Sequence, residues 1–194
     1  MKRVSILFSI LLLVFVLTVS KTRAGEFTIG STVENFKLSD INGVEKSFNE
    51  LKGEKGTMVV FLSAQCPVVK GYNDRLNAVV ADYQAKGINF IGINSNATES
   101  LDWVKSHAEE NYKFPMLIDT GNVIADKFGA VSTPEVFFFD KDNKLAYHGA
   151  IDNDKSGSNI TSSFLRVALD EYLSGKAISK NSTKAFGCTI KRKE

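Results

Sequence analysis

The stretch that most constrains this chain is TMVVFLSAQCPVVK, Thr57 to Lys70. Thr57–Ser63 is uncharged and rich in β-branched and aromatic residues, the pattern of a strand buried on both faces of a helix-flanked sheet. It stops at Ala64-Gln65-Cys66-Pro67. A helix is expected next, because Val69, Tyr72, Leu76, Val79, Val80 and Tyr83 recur at helical spacing and Gly87 closes the pattern. Pro67 then falls at the first helical position, where a missing N–H costs nothing. Cys66 sits at the junction of the buried strand and the helix N-terminus. Unpaired amide N–H groups there stabilise a thiolate, so its pKa is expected below the free-thiol value of about 8.5. The competing reading of Cys66 is a buried, inert cysteine.

The other elements follow the same logic. Ile88–Asn94 and Phe114–Asp119 read as further buried strands. Asn35–Leu38 and Glu45–Phe48 read as a hairpin about Asn42-Gly43. Asn96 with Glu99 three residues on has the form of a capping box for a helix to about Asn111. Asn122–Phe128 is a short helix closed by Gly129, and Ser162–Ser174 a last helix with Gly175 beyond it. Val136–Phe139 and Leu145–Ile151 form a hairpin across Asp140–Lys144, with Phe137-Phe138-Phe139 as core. Strands alternating with helices before a terminal hairpin predict an α/β fold: a mixed central sheet with helices on both faces, preceded by the N-terminal hairpin.

Charge excludes one class of function. Met1–Ala24 carries Lys2, Arg3, Lys21 and Arg23 and no acid, which leaves 20 basic against 22 acidic residues in the remainder. That balance gives no field for binding nucleic acid. Lys2-Arg3, the apolar run Val4–Ser20 and Thr22-Arg23-Ala24 have the form of an export signal cleaved after Ala24, or of a retained membrane anchor. The remainder is expected to be exported, to the periplasm or beyond, where disulfides persist. The chain thus divides into residues 1–24, a domain over 25–175 and a tail over 176–194 that carries Cys188.

A second feature sharpens the first. Val131-Ser132-Thr133-Pro134 precedes the strand Glu135–Phe139, where a cis bond after Thr133 would make a tight loop. FLSAQCPVVK at Phe61–Lys70 together with STPEVFFFD at Ser132–Asp140 resembles the thioredoxin fold. The likeness spans essentially Glu26–Gly175, and Ile29-Gly30, Phe36-Lys37-Leu38 and Asn42-Gly43 resemble the lead-in of AhpC/TSA-type redoxins. CPVVKGYNDRL at Cys66–Leu76, INSN at Ile93–Asn96, YHGAID at Tyr147–Asp152 and Gly187-Cys188-Thr189-Ile190 are similar to a bacterial exported subgroup. The resemblance implies a thiol-dependent oxidoreductase without a metal or organic cofactor. Cys66 would attack a peroxide oxygen or a disulfide sulfur, with Ser63 beside it and Thr133, Pro134 and Pro67 at the substrate. Cys188 would resolve the oxidised Cys66, and an external thiol would reset the pair.

The departures from that pattern are informative. A thioredoxin has its second cysteine where this chain has Val69, which cannot resolve a mixed disulfide. Peroxiredoxins have Thr or Ser at the position of Ser63, but also a proline where Val59 stands. Arg75 and Arg166 read as solvated surface charges. Cys188 lies beyond the last helix, where no core is expected to bury it. An extended tail from Ser174 reaches up to roughly 46 Å, against a radius of gyration of about 15 Å for the domain. A Cys66–Cys188 bridge that is purely structural, in a non-catalytic binding module, is the rival function. Asp152–Gly157 resembles half a calcium loop but reads better as a polar turn, since Ser163 stands where the closing Glu should be. His107 and His148 read as lone histidines, and the three Asn-x-Thr sequons acquire meaning only in a eukaryotic source.

Overall fold

The computed structural model describes residues 27–193, so the expected export segment lies outside the described residues. The strands are β1 (Lys37–Asp40), β2 (Glu45–Ser47), β3 (Gly56–Leu62), β4 (Ile88–Asn94), β5 (Met116–Ile118), β6 (Ser132–Thr133), β7 (Glu135–Asp140), β8 (Leu145–Gly149) and β9 (Cys188–Thr189). The helices are α1 (Phe48–Leu51), α2 (Pro67–Gln84), α3 (Leu101–Asn111), α4 (Val123–Phe128) and α5 (Phe164–Leu173). Among the described residues, seven strands form one sheet in the order β2-β1-β5-β4-β3-β7-β8. β3, β4 and β5 run parallel, while β1, β7 and β8 join antiparallel. The sheet is mixed, as expected.

Alternation along the central strands divides the core in two. Met58, Val60 and Leu62 of β3 and Val136 and Phe138 of β7 face α2, α3 and α5. Val59, Phe61, Phe137 and Phe139 face the opposite layer, with Phe48 of α1 and Ile124, Ala125 and Phe128 of α4. Both faces of β3 and β7 are therefore dry, which is why these strands read as continuous apolar runs. Phe128 stacks on Phe27 at 4.8 Å and meets Phe137 at 5.3 Å and Phe139 at 5.5 Å. Phe128→Ala should lower stability by about 3–5 kcal/mol in a denaturant melt. A loss below 1 kcal/mol would mean that this layer is not the close-packed one described.

Several boundaries shift by one or two residues from the sequence reading, and two departures at helix starts have a visible cause. Phe48 opens α1 instead of closing β2, because Ser47 and Glu50 form a reciprocal capping box. The box expected between Asn96 and Glu99 does not form. Ser100 caps α3, accepting from the Trp103 N–H, while Asn96 Oδ1 accepts from Lys191 and Glu99 turns elsewhere.

The tail is the larger correction. It is docked along its length. The Thr183 N–H donates to the His148 carbonyl at 2.9 Å, and the His148 N–H donates to that of Asn181 at 3.0 Å. β9 then pairs antiparallel with β6, Thr133 opposite Cys188. Ile190 enters the second core with 2% exposure, the Lys191 N–H donates to Asn96 at 3.0 Å, and Arg192 pairs with Asp126 at 2.9 Å. The apolar residues there, Ile178, Phe186 and Ile190 with two alanines, are scattered without periodicity, so this docking by backbone bonds and single anchors left no pattern to read.

Candidate active site

Cys66 lies where β3 hands over to α2 at the carboxyl end of the parallel strands. It is the N-cap residue of α2, Pro67 is exposed at the first helical position, and no side chain caps that helix end. Val69 is fully buried among core side chains, so the position of a thioredoxin's second cysteine contributes packing alone. The partner comes from the tail. Cys66 and Cys188 form a disulfide with Cα atoms 5.9 Å apart across a sequence separation of 122.

The Thr133–Pro134 peptide is cis, as expected, and its loop lies against the disulfide. The Thr133 carbonyl oxygen is 3.5 Å from Cys66 Sγ, and the Thr133 hydroxyl donates to the Cys188 carbonyl at 3.4 Å. Gly187 presses on the same carbonyl, and a Cβ there would overlap the Thr133 oxygen. Close approach fixes glycine at this place, just before the tail cysteine. Cys66 is 2% exposed, whereas Cys188 is half-buried.

Beneath the turn lies a carboxylate that the sequence reading missed. Glu99 accepts from the Ser63 hydroxyl at 2.5 Å, the Ala64 N–H at 2.9 Å, the Gln65 N–H at 3.0 Å and the Asn94 amide at 2.6 Å. Ser63 Oγ in turn accepts from the Cys66 N–H at 3.1 Å. Glu99 thus holds the loop that aims Cys66, and the Ser63 hydroxyl is fixed at both ends. The pairing bridges a separation of 36 residues, so no local motif could have announced it. Glu99→Gln supplies one acceptor oxygen where four donors converge. It should cost about 1–3 kcal/mol, read as a lowered denaturation midpoint, with slower thiol chemistry at Cys66.

A second carboxylate, this one buried, supports the cis-proline loop. Glu135, 3% exposed, accepts from the Val131 and Ser132 N–H groups at 2.8 Å each and pairs with His148 Nε2 at 2.7 Å. His148, read from sequence as isolated, is stacked on Phe137 at 4.2 Å. His107 is the other histidine. Burial pushes its pKa below the ordinary value, and its Nε2 has no hydrogen-bond partner.

The two arginines weighed from sequence are engaged by carboxylates. Arg75 is no solvated charge: it pairs with buried Asp152 at 2.5 Å and donates to the Asp154 carbonyl at 2.8 Å. Tyr72 shares that carboxylate at 2.8 Å, so Arg75 and Tyr72 fill the side of the 152–157 turn that a cation would need. Arg166 pairs with Asp82 at the surface.

Comparison with known proteins agrees with this geometry. The chain is 28% identical over 125 residues to "Thiol-disulfide oxidoreductase ResA" of Bacillus thuringiensis subsp. konkukian, covering 64% of this chain and 70% of the relative. It superposes with a TM-score of 0.80 on the crystal structure of an uncharacterized conserved protein from Geobacillus kaustophilus, 31% identical, covering 87% of this chain and 94% of the other. A putative thiol:disulfide interchange protein DsbE from Chlorobium tepidum shares the fold, with a TM-score of 0.56 at 17% identity over 63% of this chain and 85% of that one. The structural neighbours share the thioredoxin fold, the relatives named as thiol-disulfide oxidoreductases are consistent with a thiol-dependent oxidoreductase, and this chain holds Cys66 and Cys188 in a disulfide. The AhpC/TSA family model matches residues 29–148, and the chain belongs to the AhpC/TSA family.

Proposed function

We propose that Cys66 and Cys188 are a redox pair that cycles between dithiol and disulfide, with exchange against a disulfide as the reaction. The observation that carries this reading is the joining of a cysteine at a helix N-terminus to a cysteine on a docked tail. In the reduced protein, the Cys66 thiolate attacks one sulfur of a substrate R–S–S–R. A Cys66–S–S–R bond forms and RS⁻ leaves. The Cys188 thiolate then attacks Cys66 Sγ, the Cys66–Cys188 bond forms, and the second RS⁻ leaves. The substrate gains two electrons, and an external dithiol returns the protein to its reduced form.

The α2 N-terminus favours the thiolate at both the attacking and the leaving stage. Pro67 is exposed beside Cys66, where a substrate would meet it, whereas Thr133 and Pro134 are buried behind β9 and shape the site from within. Ser63 acts as a positioning residue through the Cys66 N–H. Peroxide reduction is the second reading, favoured by the serine three residues before Cys66. It would give a Cys66 sulfenic acid that Cys188 converts to the disulfide with loss of water. Disulfide exchange is the better supported, since the Ser63 hydroxyl is already engaged by Glu99 and Arg75 and Arg166 are committed to Asp152 and Asp82. The apolar run Val4–Ser20, followed by Thr22-Arg23-Ala24, supports an exported site of action.

Mixing the reduced protein with one equivalent of hydroxyethyl disulfide or of hydrogen peroxide tests the choice. Mass spectrometry of the quenched samples should show the Cys66–Cys188 bond forming faster with the disulfide, through a Cys66 adduct. A faster reaction with peroxide, through a sulfenic acid, would reverse the assignment. Alkylation of reduced Cys66 against pH should have its midpoint below about 8.5. A midpoint at or above that value would remove the helix-terminus argument.

A further inference from the structure

We infer that the tail is a permanent occupant of the edge along which a polypeptide would approach Cys66, and that it restricts the site to small-molecule disulfides. The inference rests on the exchange reaction proposed above and concerns what can reach it.

The Thr133 carbonyl lies 3.5 Å from Cys66 Sγ, so a chain presenting a cysteine to Cys66 must lie against Ser132–Thr133. The Val131 and Ser132 N–H groups are held by Glu135, and the edge still offers the Val131 carbonyl and the Thr133 backbone, a basis for adding a strand. In this protein the added strand is β9. Ser132 stands opposite Thr189 and Thr133 opposite Cys188, and the Ile190 N–H donates to the Val131 carbonyl at 2.9 Å. The packing leaves no space for a second chain, because Gly187 already sits against the Thr133 carbonyl more closely than any side chain would permit.

The tail is also fastened independently of the disulfide. On one side Thr183 bonds to His148, Tyr147 and Ala150. On the other Ile190 is buried, Lys191 bonds to Asn96 and Ala97, and Arg192 reaches Asp126 and the Ala130 carbonyl at 2.8 Å. None of these contacts involves sulfur, so reduction leaves them in place. Breaking the S–S bond frees only the Cys188 side chain to rotate. The opening over Cys66 is then the size of a side chain: it admits a small disulfide and excludes a polypeptide backbone.

The test compares first-turnover rates of the reduced protein with hydroxyethyl disulfide and with insulin, the adduct being located at Cys66 by mass spectrometry. Ile190→Asp removes the anchor beyond Cys188, and Thr183→Val removes the side-chain bonds to Tyr147 and Ala150 that anchor the tail before it. The expected result is a wild-type protein that reacts with hydroxyethyl disulfide at least tenfold faster than with insulin. Both variants should raise the insulin rate at least tenfold, with the small-disulfide rate changing less than threefold. Two substitutions at separate places keep the test intact if one of them misfolds. Equal rates for the two substrates in the wild type, or variants with an unchanged ratio, would overturn the role given to the tail. Failure of every form to react with hydroxyethyl disulfide would overturn the exchange reaction itself, and this inference with it.

Discussion

Cys66→Ser protein should show no exchange with hydroxyethyl disulfide, a loss of about 10³-fold or more in first-turnover rate, because a serine hydroxyl supplies no thiolate. The serine should be tolerated structurally, since the site is lined by the Thr133 carbonyl and the end of α2. Cys188→Ser should behave differently. The variant keeps the first turnover and then stops, with Cys66 held as a mixed disulfide because the second thiol is gone. Stopped-flow release of the first thiol, followed by intact-mass measurement, separates the two variants. A Cys188→Ser protein that turns over repeatedly at the wild-type rate would remove Cys188 from the reaction and leave Cys66 to be resolved by an outside thiol.

The second large effect concerns stability. The disulfide closes a loop between positions 122 residues apart. In the chain-entropy treatment, closing a loop of that length removes denatured-state freedom worth up to about 5 kcal/mol. Oxidised protein should therefore unfold at a distinctly higher denaturant concentration than reduced protein, by the same amount as it exceeds Cys188→Ser. This comparison also weighs the rival function. A bridge that only staples the fold gives the same stability difference with no first-turnover chemistry in reduced wild type. Stability and chemistry together mark a redox pair whose oxidised state is the more rigid one.

Features carried by contiguous residues were legible in the sequence. The buried runs gave β3, β4 and β7, the helical spacing gave α2, and Cys66-Pro67 located the start of that helix. The two halves of the site, Cys66 and Thr133-Pro134, were recognisable because each lies at the end of a strongly patterned strand. What escaped notice depends on distant partners. Glu99 looked like half of a local capping box, yet its carboxylate serves a turn more than thirty residues away. Glu135 and His148 lie on neighbouring antiparallel strands, so their pairing became visible only once the register was known. The tail, with no periodic apolar face, gave no sign of where it would dock. Gly187-Cys188 was noticed as a motif, but the reason for the glycine is a carbonyl 54 positions earlier in the chain.

The course of the tail bears on how this protein behaves in concentrated solution. β8 is the last strand of the sheet and would present a row of unpaired backbone groups beside an aromatic-rich interior. Exposed edges of that kind recruit other chains and lead to aggregation. Asn181–Thr183 runs parallel beside β8 at His148, and β9 pairs with β6. The segment that brings Cys188 to Cys66 therefore also covers part of that edge, so protection against edge-to-edge pairing and the position of Cys188 are carried by the same tail. Shortening the tail would expose both edges together.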